Sequence, residues 1–122
     1  MNKLLTIITL LCFSVAANAA PITYFCKYPA WSDEEGVHEA NDFNLTFIVD
    51  EENDTAYMVG NNGTEEIVIL PFGDNINFLE VTATGNMMTT TIDSKLKSVH
   101  SRNSVIFGDL IASQYYGSCE IS

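Results

Sequence analysis

Between residues 43 and 50 the chain alternates. Phe43, Leu45, Phe47 and Val49 fall on one side, and Asn44, Thr46, Ile48 and Asp50 on the other. A period of two is that of a strand with one face in a core and one toward solvent. Nothing after residue 20 keeps a 3.6-residue period. Instead, β-branched and aromatic runs are punctuated by Asn, Asp and Gly, which predicts strands over 22–28, 43–50, 55–59, 65–70, 76–84, 87–93, 99–107 and 110–120. Glu51 to Asp54 reads as a tight polar turn, and Gly60-Asn61-Asn62-Gly63 as a hairpin, because Asn and Gly tolerate positive φ. Pro71 followed by Gly73-Asp74-Asn75 stops one strand, Gly85-Asn86 makes a two-residue turn, and Gly108-Asp109 closes a final hairpin. Residues 29–41 read as a long acidic connection carrying Trp31 and His38.

About eight short strands at near-regular spacing predict an all-β fold, an antiparallel barrel or sandwich. Closure into a barrel removes exposed strand edges. In an up-and-down barrel the first and last strands are neighbours, and these hold Cys26 and Cys119. The bore of so small a barrel is expected to be filled by Phe43, Phe47, Phe78 and Met88.

The first residues change the picture of where the protein works. Met1-Asn2-Lys3 is short and positive, an apolar run follows from Leu4 to Ala17, and Ala17-Asn18-Ala19 has the small residues of a cleavage site. That pattern predicts a secretory signal peptide over 1–19, with a single β-domain over 20–122 in the periplasm or secreted by a bacterium. Cleavage discards Cys12 and leaves Cys26 and Cys119, an even pair that an oxidising compartment joins as a disulfide. Cleavage also removes Lys3, leaving four cations against sixteen acids and a net charge of −12. Such a chain lacks the Lys and Arg that bind phosphate, so nucleic acid and anionic membrane surfaces are excluded as partners. A basic protein partner, or plain solubility outside the cytoplasm, fits the charge. No membrane span follows the leader, and a monomer is expected.

Candidate chemistry is sparse. His100, Ser101 and Arg102 form the most reactive-looking cluster, with Asp109 and Tyr115 near in sequence. In a strand His100 and Ser101 point to opposite faces, so they cannot act as base and nucleophile, and no G-x-S-x-G elbow exists. His38 stands among Glu34, Glu35, Glu39 and Asp42, and Asp50 to Asp54 mimics the opening of a calcium loop, but Thr55 occupies the position that needs Gly. Solvated acidic loops, with no metal and no cofactor, are the expectation. Trp31 is either an anchor for a partner or a plug for one end of the barrel. Of the adjacent Tyr115 and Tyr116, one packs inward and one meets solvent or a partner, and Gly117 marks a bulge or close backbone approach. Trp31, His100, Arg102, Tyr115 and Tyr116 are therefore the candidate partner-binding residues.

An exported chain that opens on Tyr24-Phe25-Cys26 and ends on Tyr116-Gly117-Ser118-Cys119 resembles the periplasmic C-type lysozyme inhibitors in layout. The resemblance implies a disulfide-closed antiparallel barrel that blocks a basic enzyme. That family's inhibitory Ser-Gly-Ser-x-x-Tyr motif is absent, so no inhibitory residue carries over. The expected function is an exported, non-catalytic binding protein acting on a protein or cell-envelope partner, and an inhibitor of a basic enzyme in its sharpest form. The alternative is a calycin-like binder of a small ligand, which requires an internal cavity.

Overall fold

Each predicted strand forms, and the turns between them fold the chain back on itself at every step. The computed structural model describes residues 19–61 and 63–122. The leader predicted over 1–19 lies, apart from Ala19, outside the described residues, as does Cys12. The strands are β1 (Ile22–Asp33), β2 (Gly36–Glu39), β3 (Asn44–Asp50), β4 (Thr55–Gly60), β5 (Gly63–Phe72), β6 (Asn75–Val81), β7 (Met87–Ile92), β8 (Lys97–Ile106) and β9 (Asp109–Ile121). All pairings are antiparallel. Strand β1 pairs with β3 on one side and β9 on the other, so β1 and β3 to β9 close an eight-stranded barrel, with β2 added on the far half of β1. Of barrel and sandwich, the barrel is what forms. No helix among the described residues is long and apolar enough to cross a membrane.

Cys26 and Cys119 are direct partners across the β1–β9 seam and form the disulfide. A closed loop of nearly a hundred residues restricts the unfolded chain by about 4–5 kcal/mol in the loop-entropy model. The inward residues of β3, Leu45, Phe47 and Val49, are all buried, as their alternation requires. Phe47 and Phe78 stack at 4.6 Å across the bore, with Ile92, Ile67 and Ala56 in the same core.

Several boundaries differ from the sequence reading, and three of the differences have a plain physical cause. Residues 29–41 are not a loop: β1 runs on to Asp33 and turns directly into β2. Strand β9 continues to pair with β1 as far as Ser32↔Gln114, and that ladder from the other end of the chain holds Trp31 in a strand. Pro29 is tolerated because the register shifts between Lys27 and Ala30, a bulge at which no N–H is required. Strand β5 likewise passes through Pro71 to Phe72. Pairing of β4 with β5 stops at Ile67, so β5 has a free edge where the proline sits. Finally, β6 ends at Val81, and the turn to β7 spans Thr82 to Asn86, closed by Thr82 N donating to Asn86 O at 2.9 Å.

Candidate functional site

The meander places the β1–β2, β4–β5, β6–β7 and β8–β9 turns at one end of the barrel and both described termini at the other. The first end holds most of the chemistry. Strand β8 turns His100 and Arg102 inward, while Ser101 faces away and accepts a hydrogen bond from Gln114 Nε2 at 3.3 Å. His100 is 1% exposed, and its Nδ1 shares a 2.7 Å hydrogen bond with Thr90 Oγ1. Burial, with the charge of Arg102 beside it, pushes the imidazole down to about 4, so His100 is neutral near pH 7.

Tyr115 on β9 stacks on Phe43 at 4.2 Å and lies 6.1 Å from Trp31 and 6.0 Å from His100. The Arg102 guanidinium sits 5.6 Å from the Phe43 ring and 5.8 Å from Tyr115, and its Nε donates to Met88 Sδ at 3.3 Å. Four of the five candidate residues, Trp31, His100, Arg102 and Tyr115, are thus brought together at this end. Tyr116 is not among them. It faces outward, its hydroxyl bonded to Ser32 Oγ at 2.8 Å and to Gln114 Oε1 at 3.0 Å.

Trp31 is half-covered by His38 at 4.4 Å, and His38 Nε2 bonds Asp33 Oδ1 at 2.9 Å. That hydrogen bond, with Glu35 N donating to the same oxygen, holds the Asp33 carboxyl below its ordinary range. Asp33, Glu35 and His38 offer ligand atoms within 4.8 Å of one another, and the two hydrogen bonds onto Asp33 account for their grouping as the closure of the β1–β2 turn. Asp50 similarly closes its own turn, accepting from Asn53 Nδ2 at 2.7 Å.

Two features escaped the sequence reading. The first is an arm. Pairing of β7 with β8 ends at Asn103, and pairing of β1 with β9 ends at Gln114, so Ser104 to Ile111 pair only with each other beyond the barrel rim. Asn86 Oδ1 accepts from Val105 N at 3.2 Å and steadies the arm's base. Its apolar residues stand in solvent: Val105 63%, Leu110 72% and Phe107 102% exposed, with Ile106 and Ile111 on the opposite face. Phe107 and Gly108 form the turn, one residue earlier than the Gly108-Asp109 turn the sequence predicts, because Asp109 already pairs with Ile106; their φ are 52° and 83°. Both central residues at positive φ is the arrangement for which Asn-Gly is favoured, and a bulky aromatic there is strained.

The second is the barrel mouth, lined by the carboxylates of Glu65 and Glu80 and facing Phe43 and Arg102. The available signal was phase: Glu80 shares the inward face of β6 with Ile76 and Phe78, and Arg102 shares that of β8 with Ser98 and His100. Comparison with protein-family models, curated proteins and solved structures finds no match, so the resemblance to the lysozyme inhibitors stands on the layout of a closed eight-stranded barrel with one disulfide.

Proposed function

We propose that this chain is an exported, non-catalytic binding protein that grips a protein partner with the β8–β9 arm. The observation that carries the reading is the arm itself. Five apolar side chains project past the rim, with a strained Phe at the tip. Contiguous exposed apolar surface marks interaction sites, and a residue held in an unfavourable backbone region is a pointer to function. The acidity of the chain favours a basic partner through steering and selection. The leader and the disulfide fit a site of action outside the cytoplasm.

Catalysis finds little support in the geometry. Among the described residues the hydroxyl bonded to an imidazole is that of Thr90, 2% exposed, against His100, and no carboxylate there orients that ring. The sharpest version of the reading is inhibition of a basic cell-wall enzyme. Titrating C-type lysozyme and other basic envelope hydrolases with the protein, by turbidity clearance and biolayer interferometry, tests it. Binding and inhibition that disappear in a Phe107→Ser/Leu110→Ser variant are expected. Unchanged activity at micromolar excess of the wild type rules the inhibitor version out, and inhibition that survives in the variant removes the arm from it. A second reading, a small-ligand binder, is favoured by the open mouth of the barrel.

A further inference from the structure

Among the described residues, the end of the barrel that bears the arm is open. A cavity of about 550 Å³ enters the bore there, within the size range of small-molecule sites. Its walls differ in character. Glu65 and Glu80 line one side. Phe43 and Arg102 line the other, and the thioethers of Met58 and Met88 add apolar surface. Deeper in, the stacked Phe47 and Phe78 fill the bore.

Two buried side-chain polar atoms in the described structure lack a hydrogen-bond partner, Glu80 Oε2 and His100 Nε2. Both residues line one narrow void, which shares Met58, Glu80 and Met88 with the mouth above it. Such orphans are rare, because leaving a buried polar group unmade costs about 1–3 kcal/mol, and more for a charge. The cation nearest at hand does not satisfy Glu80. Arg102 lies two strands away in the same row, Glu80↔Met88↔Arg102, and makes no ion pair with Glu80. Its Nε is committed to Met88 and its guanidinium rests over Phe43 and Tyr115. Burial and the charge of Glu65 raise the Glu80 carboxyl above its ordinary value against the opposing pull of Arg102, so the cation already present offsets only part of a tension that a bound cation relieves.

We propose that the mouth of the barrel binds a small molecule carrying a protonated amine on an apolar body. The amine meets Glu80, with Glu65 adding field, and the apolar body lies against Phe43, Met58 and Met88. A carboxylate ligand meets two like charges against the single cation Arg102, whose guanidinium is held over Phe43 and Tyr115. A hard metal ion would leave the apolar surface of Phe43, Met58 and Met88 in the same cavity unused. Neutral alcohols can reach Glu80 but leave its charge uncompensated. The proposal deepens the small-ligand reading and not the arm reading: the cavity meets the arm only at its base, through Asn86 and Ser104, and the arm's apolar residues lie outside it.

Calorimetric and NMR titrations of the oxidised protein with phenethylamine, phenethyl alcohol and 3-phenylpropionate test it. Saturable millimolar or tighter binding of the amine alone is expected, weakened about tenfold or more by Glu80→Gln and retained in the Phe107→Ser/Leu110→Ser variant. In the wild type the Glu80 carboxyl, followed by ¹³C NMR, should titrate at lower pH when the amine is bound, which decides the matter even if Glu80→Gln folds poorly. No saturation by phenethylamine, equal binding of the alcohol, or an unmoved Glu80 titration overturns the proposal.

Discussion

Gly117→Ala is a one-methyl change that tests the seam of the barrel. Gly117 on β9 pairs with Ser98 on β8 and lies opposite the β1 bulge, between Lys27↔Ser118 and Ala30↔Tyr116. Tyr28 on β1 reaches Ser98 on β8, their hydroxyls bonded at 2.8 Å in the interior, and Gly117 sits between the two strands that carry them. A Cβ on residue 117 runs into the Lys27 carbonyl and comes within 2.9 Å of Tyr28 Cα. Those neighbours are backbone, which cannot swing away as a flexible side chain does. Overpacking a tight site costs typically about 1–3 kcal/mol. The buried Tyr28–Ser98 hydrogen bond contributes about 1 kcal/mol more if the seam opens. The expected loss is therefore about 3 kcal/mol, from a total stability of about 5–15 kcal/mol. At about 4–8 °C per kcal/mol, Tm should fall by about 12–24 °C in thermal melts followed by far-UV circular dichroism. Gly60→Ala is the control. Among the described residues its Cβ would meet Leu45 Cδ2 alone, at 3.5 Å, an ordinary contact. Reduced freedom of the unfolded chain should make that variant neutral or up to about 1 kcal/mol more stable. A fall of less than about 4 °C in the Gly117→Ala variant, worth under 1 kcal/mol, refutes the close-approach argument.

Phe107→Asn relieves the left-handed strain at the arm's tip and should raise stability by about 1 kcal/mol, a Tm gain of about 4–8 °C, while weakening the partner contact proposed for the arm. A destabilised Phe107→Asn variant contradicts the strain. Replacing both Cys26 and Cys119 by Ser should cost about 2–5 kcal/mol, read from urea melts against the oxidised parent, and coincident melts mean the bridge contributes nothing. Acid should act through His100, whose folded value of about 4 lies below its ordinary 6.5. The unfolded chain then binds the extra proton between those values. Stability is fully present above pH 6.5 and falls as pH drops toward 4, by about 3 kcal/mol for this group. Glu80, whose carboxyl is raised, acts in the opposite sense. Urea midpoints across that window should flatten in His100→Gln, and an unchanged slope assigns the effect elsewhere.

Strand existence was legible in the sequence because the two-residue period is local. Leu45, Phe47 and Val49 announce which face of β3 is buried without reference to any other part of the chain. The disulfide was legible too, from the even pair of cysteines left once the predicted leader is set aside. What the sequence could not show depended on neighbours distant along the chain. Trp31 reads as part of a long acidic connection in its own segment, yet β9, some eighty residues on, supplies a ladder that makes it strand. Gly117 signalled a close approach, but only the β1 bulge revealed that the approaching group is the Lys27 carbonyl. His100 and Arg102 drew notice by residue type, whereas Glu80 did not. Its standing depends on closure of the barrel, which carries an ordinary inward-phase glutamate to the rim of a cavity and leaves one of its oxygens without a partner. Periodicity fixes which way each side chain points. Only the register and closure of the sheet decide what it points at.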